Sequence, residues 1–152
     1  RIERGELSPH EIFAGFQTNL GFTGTYAAFC KVWCDHFTLD RANAALLRRL
    51  KRTHRVFLLS NTNDLHYEFI RRRYAFAREV HGAVLSYKLG LRKPDPRIYR
   101  HALALAGAAP QESLFIDDLK ENVAAAEKLG MNVIHHPKGH DLRQALTALG
   151  LL

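Results

Sequence analysis

The chain has 152 residues, 47% of them apolar, and a formal net charge of +7. That length and apolar content suit one compact domain with a small appendage. No run of about 18 apolar residues occurs, which argues against a membrane span, and the first residues lack the apolar stretch of a signal peptide. Cys30 and Cys34 are too few for a disulfide framework, so we expect reduced thiols and a cytoplasmic protein.

The positive charge is concentrated in short runs. These are Arg48-Arg49, Lys51-Arg52 and Arg71-Arg72-Arg73, and all lie on predicted helices with apolar residues interleaved. No recognition motif or aromatic stacking pattern accompanies them, so we interpret them as solvated helix faces. We therefore expect neither a nucleic-acid partner nor a membrane partner. A basic surface still attracts anionic substrates.

The first third of the chain has only helical patterns. Ser8-Pro9 with Glu11 predicts the start of one helix, Gly21-Phe22-Thr23-Gly24 breaks it, and Thr38-Leu39-Asp40 begins the helix that leads onward. We therefore predict a small helical module over residues 1–45. Its aromatic residues recur at helical spacing, which favours packing in a core over lining a pocket. They are Phe16, Phe22, Tyr26, Phe29 and Trp33.

The rest of the chain, residues 46–152, alternates short apolar runs with helical patterns. This alternation is typical of an α/β fold with a Rossmann-like parallel sheet flanked by helices. The predicted strands cover residues 54–60, 82–87, 113–117 and 132–135. The predicted helices cover residues 63–77, 97–106, 119–129 and 140–149, with Gly130 as a left-handed stop after the third.

Polar residues stand where three of these strands end. Ser60 and Asn61 end the first strand, Lys93 follows the second after a glycine-containing link, and Asp117-Asp118 end the third. Ligands of open α/β sheets bind beyond the carboxyl ends of the strands, so we expect these residues to converge on one site. A hydroxyl, an ammonium and a carboxylate pair suit a phosphate and a divalent cation.

Each of these residues also has an ordinary explanation. Ser60 belongs to a segment that can cap the next helix, although such a cap is itself an anion site. A lone lysine before a proline turn, such as Lys93, is usually solvent-exposed. Asp117-Asp118 is the least ordinary feature, because adjacent carboxylates repel unless a cation or hydrogen bonds neutralise them, and oxygen ligands there favour Mg²⁺. Asn122, one turn into the next helix, either orients a carboxylate or is a plain exposed asparagine.

Three segments resemble, in the right order, the second, third and fourth motifs of the haloacid dehalogenase-like hydrolase superfamily. They are Phe57 to Asn63, Gly90 to Tyr99, and Phe115 to Ala126 with its continuation to Met131. The region that starts at Arg4-Gly5-Glu6-Leu7-Ser8 resembles the inserted helical cap of subfamily I, near its sugar-phosphate phosphatases. The resemblance implies a Rossmann-like core over residues 46–152 with a partial helical cap over residues 1–45.

The resemblance also implies a chemistry for the site. Ser60, Asn61 and Lys93 would bind phosphate, and Asp118 would hold Mg²⁺, with Asp117 as a direct or water-mediated ligand and Asn122 in support. The implied reaction is hydrolysis of a phosphate monoester through an aspartyl-phosphate, with a small phosphorylated metabolite as substrate.

The chain departs from the family at the first motif. Family members carry a nucleophilic aspartate on the first core strand, which precedes the cap, with an acid/base aspartate two residues later. Asp35 and Asp40 are the only aspartates before Ser60, and neither follows a strand-like apolar run. We therefore expect an N-terminally truncated form that is inactive alone. Its sheet should have a gap between the strands that precede Ser60 and Asp117, filled by a bound upstream fragment or covered in a dimer.

Three other functional classes are weighed against this one. A non-catalytic haloacid dehalogenase-like binding module also fits a chain without a nucleophile. A haloacid dehalogenase-type hydrolase needs no metal, and Asp117-Asp118 argues for one. A phospho-accepting receiver domain presents its acid pair before its hydroxyl and lysine, whereas here the order is hydroxyl, lysine, acid pair.

Overall fold

The computed structural model describes all 152 residues. Its N-terminal part is helical, as predicted, and each of its three α-helices starts at a side-chain cap. The amide of Glu11 donates to the Ser8 hydroxyl at 3.3 Å, while the Ser8 amide donates to the Glu11 carboxylate at 2.7 Å, which closes a capping box. The elements are a 3₁₀ turn over Ile2–Arg4, α1 over Pro9–Leu20, α2 over Tyr26–Cys34 and α3 over Arg41–Leu50.

The remainder alternates strands and helices. All four predicted strands are present, and three of them are shorter than predicted. The strands are β1 over Phe57–Ser60, β2 over Gly82–Leu85, β3 over Leu114–Asp117 and β4 over Asn132–His135. The helices are α4 over Asp64–Arg73, α5 over Phe76–Glu79, α6 over Ser86–Leu89, α7 over Pro96–Ala106, α8 over Lys120–Glu127 and α9 over Leu142–Ala148. A second 3₁₀ turn, Pro110–Glu112, precedes β3.

Several predicted elements differ in extent from the observed ones, and two of these differences have a clear structural cause. The helix predicted over 63–77 is divided into α4 and α5, because Tyr74 has an extended backbone and its hydroxyl donates to the Phe37 carbonyl at 2.7 Å. The strand predicted over 82–87 ends at Leu85, because Ser86 begins α6. The Ser86 hydroxyl bonds to backbone atoms of Thr62, so it replaces the sheet ladder at that point.

The strands form two separate parallel pairs. β1 pairs with β2, from Phe57 opposite Gly82 to Ser60 opposite Leu85, and β3 pairs with β4. No hydrogen-bonded ladder joins β1 to β3, which agrees with the gap expected between them. All residues of β1 are only partly buried, whereas the middle strand of a covered parallel sheet is buried on both faces.

Helix α7 holds the two strand pairs in one core. Its residues Ile98 and Tyr99 have no exposed surface and pack with residues of β2, β3 and α8. The Tyr99 ring meets the Phe115 ring edge-on, with 5.2 Å between centroids. The core cluster consists of Val84, Ile98, Tyr99, Phe115 and Ala126.

The aromatic residues of the helical module pack against one another, as predicted. Phe29 is 1% exposed, and its ring lies 5.1 Å from that of Phe16 and 5.7 Å from that of Trp33. Phe22 and Tyr26 complete the cluster around Phe29. The predicted module boundary at residue 45 falls within α3, and it stays a prediction. No helix is both long and apolar enough to cross a bilayer.

Candidate active site

The side chain of Lys93 lies between the two strand pairs, at the carboxyl ends of β1 and β3. Its ammonium donates to the Leu59 carbonyl at 2.9 Å and to the Asp117 carboxylate at 2.6 Å. The Lys93 and Asp117 side chains are 10% and 5% exposed, so this ion pair is nearly removed from water. Lys93 is therefore not the solvent-exposed lysine that usually precedes a proline turn.

Asn61 holds the backbone of Lys93. The Lys93 amide donates to Asn61 Oδ1 at 2.8 Å, and Asn61 Nδ2 donates to the Lys93 carbonyl at 3.0 Å. The Asn61 side chain thus bonds to both backbone groups of Lys93, as the backbone of a neighbouring strand would. This pairing ties the end of β1 to the loop that carries the lysine.

Asp117 is the most heavily bonded carboxylate of the site. Besides Lys93, its Oδ1 accepts from the Leu119 amide at 2.9 Å and from Asn122 Nδ2 at 2.8 Å. Burial by itself would raise the pKa of the Asp117 carboxyl, but the hydrogen bonds from Lys93, Asn122 and Leu119 outweigh it and lower the pKa below its ordinary value. Asp117 therefore carries its negative charge at neutral pH.

Asn122 is a buried residue and not an exposed one. It is 3% exposed, its side chain bonds to Asp117, and its carbonyl accepts from the Tyr99 hydroxyl at 2.9 Å. Tyr99 thus fixes the first turn of α8, and that turn fixes the Asp117 carboxylate. The sequence left two interpretations of Asn122 open, and the structure supports the one in which it orients a carboxylate.

Asp118 differs from Asp117 in the exposure and in the bonding of its carboxylate. It is exposed, and its carbonyl accepts from His135 Nε2 at 3.0 Å while its carboxylate takes part in no ion pair. An exposed carboxylate beside a buried, ionised one has the donor chemistry that a hard cation such as Mg²⁺ prefers. No three His, Cys, Asp or Glu side chains converge closely enough to hold a metal ion by themselves. The pair fits Mg²⁺, which uses one or two carboxylates together with substrate phosphate.

Ser60 ends β1 next to the Leu59 carbonyl that binds Lys93. It is partly buried, and no internal hydrogen bond engages its hydroxyl. The loop after Ser60 is fixed by the buried hydroxyl of Ser86. This hydroxyl accepts from the Thr62 amide at 2.9 Å and donates to the Thr62 carbonyl at 3.0 Å. The structure thus brings Ser60, Lys93 and Asp117 to one edge, with Asp118 beside them.

The two aspartates that precede Ser60 in the chain, Asp35 and Asp40, do not lie at the end of a strand. Asp35 follows α2, and Asp40 caps α3, where its carboxylate accepts from the amide and the side chain of Asn43. That neither is the nucleophile stays a prediction.

Two residues near the site, Ser86 and His66, make contacts that the sequence pattern does not predict. Ser86 directly follows a strand, but a single serine there is ordinary. His66 sits three residues after the helix cap Asn63 and contacts Trp33 of α2, and only the fold brings these residues together. Both depend on contacts between distant segments, which periodicity and spacing do not report.

Fold and site together define an α/β protein with a cluster of polar and charged side chains at the carboxyl edge of its parallel strands. A family model described as haloacid dehalogenase-like hydrolase matches residues 12–130. The chain therefore belongs to the haloacid dehalogenase-like hydrolases.

Two curated relatives are phosphatases. A D-ribitol-5-phosphate phosphatase from Bacteroides thetaiotaomicron is 28% identical over 155 residues, an alignment that covers 97% of this chain and 75% of the relative. A sesquiterpene phosphatase from Aspergillus oryzae is 28% identical over 137 residues, covering 89% of this chain and 70% of the relative.

Solved structures share the fold. A haloacid dehalogenase family enzyme from Bacteroides thetaiotaomicron, crystallised with magnesium and inorganic phosphate, superposes with a TM-score of 0.87 at 27% identity, over 95% of this chain and 76% of that one. A haloacid dehalogenase-like hydrolase from Porphyromonas gingivalis gives a TM-score of 0.84 at 27% identity, over 97% and 76% of the two chains. An L-2-haloacid dehalogenase is 19% identical with a TM-score of 0.67, which shows the fold alone.

Proposed function

We propose that this protein is a phosphatase that hydrolyses a small phosphate monoester with the help of Mg²⁺. The observation that carries the proposal is the buried ammonium of Lys93, fixed between Leu59 and Asp117 at the end of the strand that Ser60 closes. An ammonium has three donors, and two are engaged here. The third is available to an anion at this edge.

The chain's own groups bind and orient the phosphoryl group. Ser60 donates its hydroxyl to one phosphoryl oxygen, and Lys93 places a positive charge against another. Asn61 acts chiefly by holding the Lys93 backbone, and α4 begins at Asp64, shortly after the end of β1, where its dipole favours an anion. Because these groups are fixed before substrate binds, little reorganisation accompanies the reaction.

Asp118 would be the main protein ligand of Mg²⁺, with Asp117 contributing directly or through water. The exposed, unpaired carboxylate of Asp118 supports this assignment, as does the magnesium-bound structure of a relative. When bound, the cation neutralises charge on the phosphate and orients it. Asp117, already bonded by Lys93, Leu119 and Asn122, contributes mainly negative charge.

The attacking group would come from an extended segment seated between β1 and β3. The facing edges of these strands are unpaired with each other, and the site groups stand at their carboxyl ends. A carboxylate oxygen on such a segment would attack phosphorus and release the alcohol, and water would then cleave the aspartyl-phosphate to carboxylate and phosphate. The 152 residues supply no such carboxylate at this edge, so we propose that the chain alone is inactive.

A non-catalytic binding module is the second candidate, and the same lack of a nucleophile favours it. The two candidates differ in one experiment. We expect no turnover of aryl phosphates by this chain, and turnover higher by several orders of magnitude once a strand carrying Asp-x-Asp is joined to its N-terminus. A restored chain that binds phosphate but stays inactive would support the binding module. Mg²⁺-dependent turnover by the 152 residues alone would mean that the nucleophile is elsewhere.

Phosphate binding tests the site itself. A crystal soaked with phosphate and MgCl₂ should have density between Ser60 and Lys93, and in calorimetry Ser60→Ala should weaken phosphate binding. Ser113→Ala is the matched control, because the Ser113 hydroxyl bonds to the Ala109 carbonyl just before β3, at the opposite end of that strand from the site. An anion bound only at the arginine-rich helices, or equal effects of the two variants, would contradict the assignment.

A further inference from the structure

His66 connects the loop after Ser60 to helix α2 of the helical module. It lies in the first turn of α4, and its ring Nε2 is 3.1 Å from the carbonyl of Trp33, near the end of α2 in the helical module. Its Nδ1 is 3.1 Å from the side-chain amide of Asn63. Asn63 is 5% exposed and ends the loop that follows Ser60.

One protonation state of His66 satisfies all of these contacts. The Trp33 carbonyl can only accept, so Nε2 carries the hydrogen, and the neutral ring then accepts from Asn63 Nδ2 through Nδ1. Asn63 Oδ1 is left to accept from the His66 amide at 3.0 Å, which caps α4. No group in this set is left without a partner, so the imidazole is held from both sides.

The ring also belongs to the aromatic packing of the helical module. It stacks on Trp33 with 5.3 Å between centroids and an interplanar angle of 26°, and Trp33 packs on Phe16 and Phe29. A displacement of the Asn63 loop therefore moves a side chain that is bonded to α2 and stacked on its aromatic core.

We propose that His66 is a positioning residue that couples phosphate occupancy at Ser60 to the position of α2. The coupling rests on the phosphate site proposed above. Phosphate bound at Ser60 orders the loop up to Asn63, Asn63 orders the His66 ring, and the ring holds the end of α2 through the Trp33 carbonyl. The helical module is thereby held more firmly when phosphate is bound than when it is absent.

Two substitutions separate the two contacts. In His66→Asn, the side-chain oxygen takes the place of Nδ1 and accepts from Asn63, but nothing reaches the Trp33 carbonyl. In His66→Gln, the side-chain amide takes the place of Nε2 and donates to Trp33, but the acceptor for Asn63 is lost. The module stays attached in both variants, because Cys34 contacts the Leu65 carbonyl at 3.7 Å and Tyr74 bonds to Phe37.

The experiment measures amide hydrogen exchange in α2 with and without inorganic phosphate and MgCl₂, and phosphate affinity by calorimetry. In the parent protein, phosphate should slow exchange in α2. His66→Asn should speed exchange in α2 about fivefold with near-parent phosphate affinity, and His66→Gln should weaken phosphate binding about fivefold with near-parent exchange, the factor expected for one lost hydrogen bond. Phosphate should no longer slow exchange in α2 in either variant.

His10→Gln is the matched control, because His10 stacks on Tyr26 in the same module and its ring has no hydrogen bond to α4. It should behave like the parent. The proposal is overturned if both His66 variants lose exchange protection in α2 and phosphate affinity together, as general destabilisation would produce. It is also overturned if phosphate slows exchange in α2 equally in the parent and in the variants. A parent that binds no phosphate contradicts the phosphate site, and the contrast between the two variants in phosphate-free exchange then decides whether His66 holds α2.

Discussion

The ion pair between Lys93 and Asp117 has side chains that are 10% and 5% exposed, so both charges are almost fully removed from water. Removing two charges from water costs several kcal/mol per ion, and the attraction between them offsets this only when further hydrogen bonds complete the site. Those bonds are present, from Lys93 to Leu59 and from Leu119 and Asn122 to Asp117. The arrangement keeps a cation and an anion at fixed positions on the edge where substrate would bind.

Removing one partner of this pair should be strongly destabilising. Lys93→Met leaves the Asp117 carboxylate buried without its cation, for which we expect a loss of about 3–5 kcal/mol in the free energy of unfolding. Urea denaturation measures it. Lys88→Met is the control, because Lys88 is exposed and should change stability by no more than about 0.5 kcal/mol. Equal losses in the two variants would mean that the Lys93 pair is not buried in solution.

Asp118 should dominate Mg²⁺ binding by the chain. Asp118→Ala removes the exposed carboxylate and leaves the bonded Asp117 in place, so calorimetric titration should show Mg²⁺ affinity lower by about tenfold or more, a change of at least about 1.4 kcal/mol. Glu127→Ala, a change of an exposed carboxylate in the last turn of α8, serves as the control. Equal Mg²⁺ affinity in the Asp118 variant and the parent would remove the metal assignment.

At the scale of elements, the contact between α2 and α4 should depend on pH through His66. Burial lowers the pKa of His66 below its ordinary value of 6.5, and nearby His36 adds to this, while the Trp33 carbonyl and Glu3 act in the opposite direction. The unfolded chain therefore takes up a proton at a higher pH than the folded protein does. Stability from this residue is present above about pH 6.5 and is lost as pH falls toward the folded-state pKa.

We expect the free energy of unfolding of the parent to fall between pH 7.5 and pH 5.5 by more than that of His66→Gln. The slope that His66 adds cannot exceed about 1.4 kcal/mol per pH unit, the limit for one proton. Urea denaturation at several pH values measures the difference. Parallel pH profiles for parent and variant would contradict the neutral state of the partly buried His66 ring.

Local signals in the sequence were sufficient for most elements. Ser8 with Glu11 and Asp40 with the Asn43 amide cap their helices through contacts three residues apart, and such contacts can be predicted from spacing. The strand-end rule likewise placed Lys93 and Asp117 at one edge, where they form an ion pair, with Ser60 at the end of β1. The extents of two elements were wrong because distant partners decide them, Phe37 at Tyr74 and Thr62 at Ser86. For the same reason the roles of Asn61 and His66 could not be predicted.

At the scale of the whole molecule, the separation of the sheet into two pairs is the dominant feature. The core around α7 keeps the pairs together, but β1 and β3 each have one edge without a neighbouring strand. Unpaired backbone groups on an apolar strand such as Phe57-Leu58-Leu59 favour pairing with another chain. An extended segment between the two strands would satisfy both edges at once and would lie beside Lys93.

We therefore expect the 152-residue chain in solution either to retain a bound extended peptide or to form a dimer that covers the β1 edge, since strand exchange is a low-cost route to dimers. Intact mass under denaturing conditions identifies a retained peptide, and native mass at two protein concentrations identifies a dimer. A dimer held through this edge should dissociate when a peptide carrying Asp-x-Asp in a strand-forming sequence is added, because the peptide competes for the same backbone groups. A monomer that neither retains nor binds such a peptide would contradict this expectation, and would mean that the edges of β1 and β3 pair directly in solution.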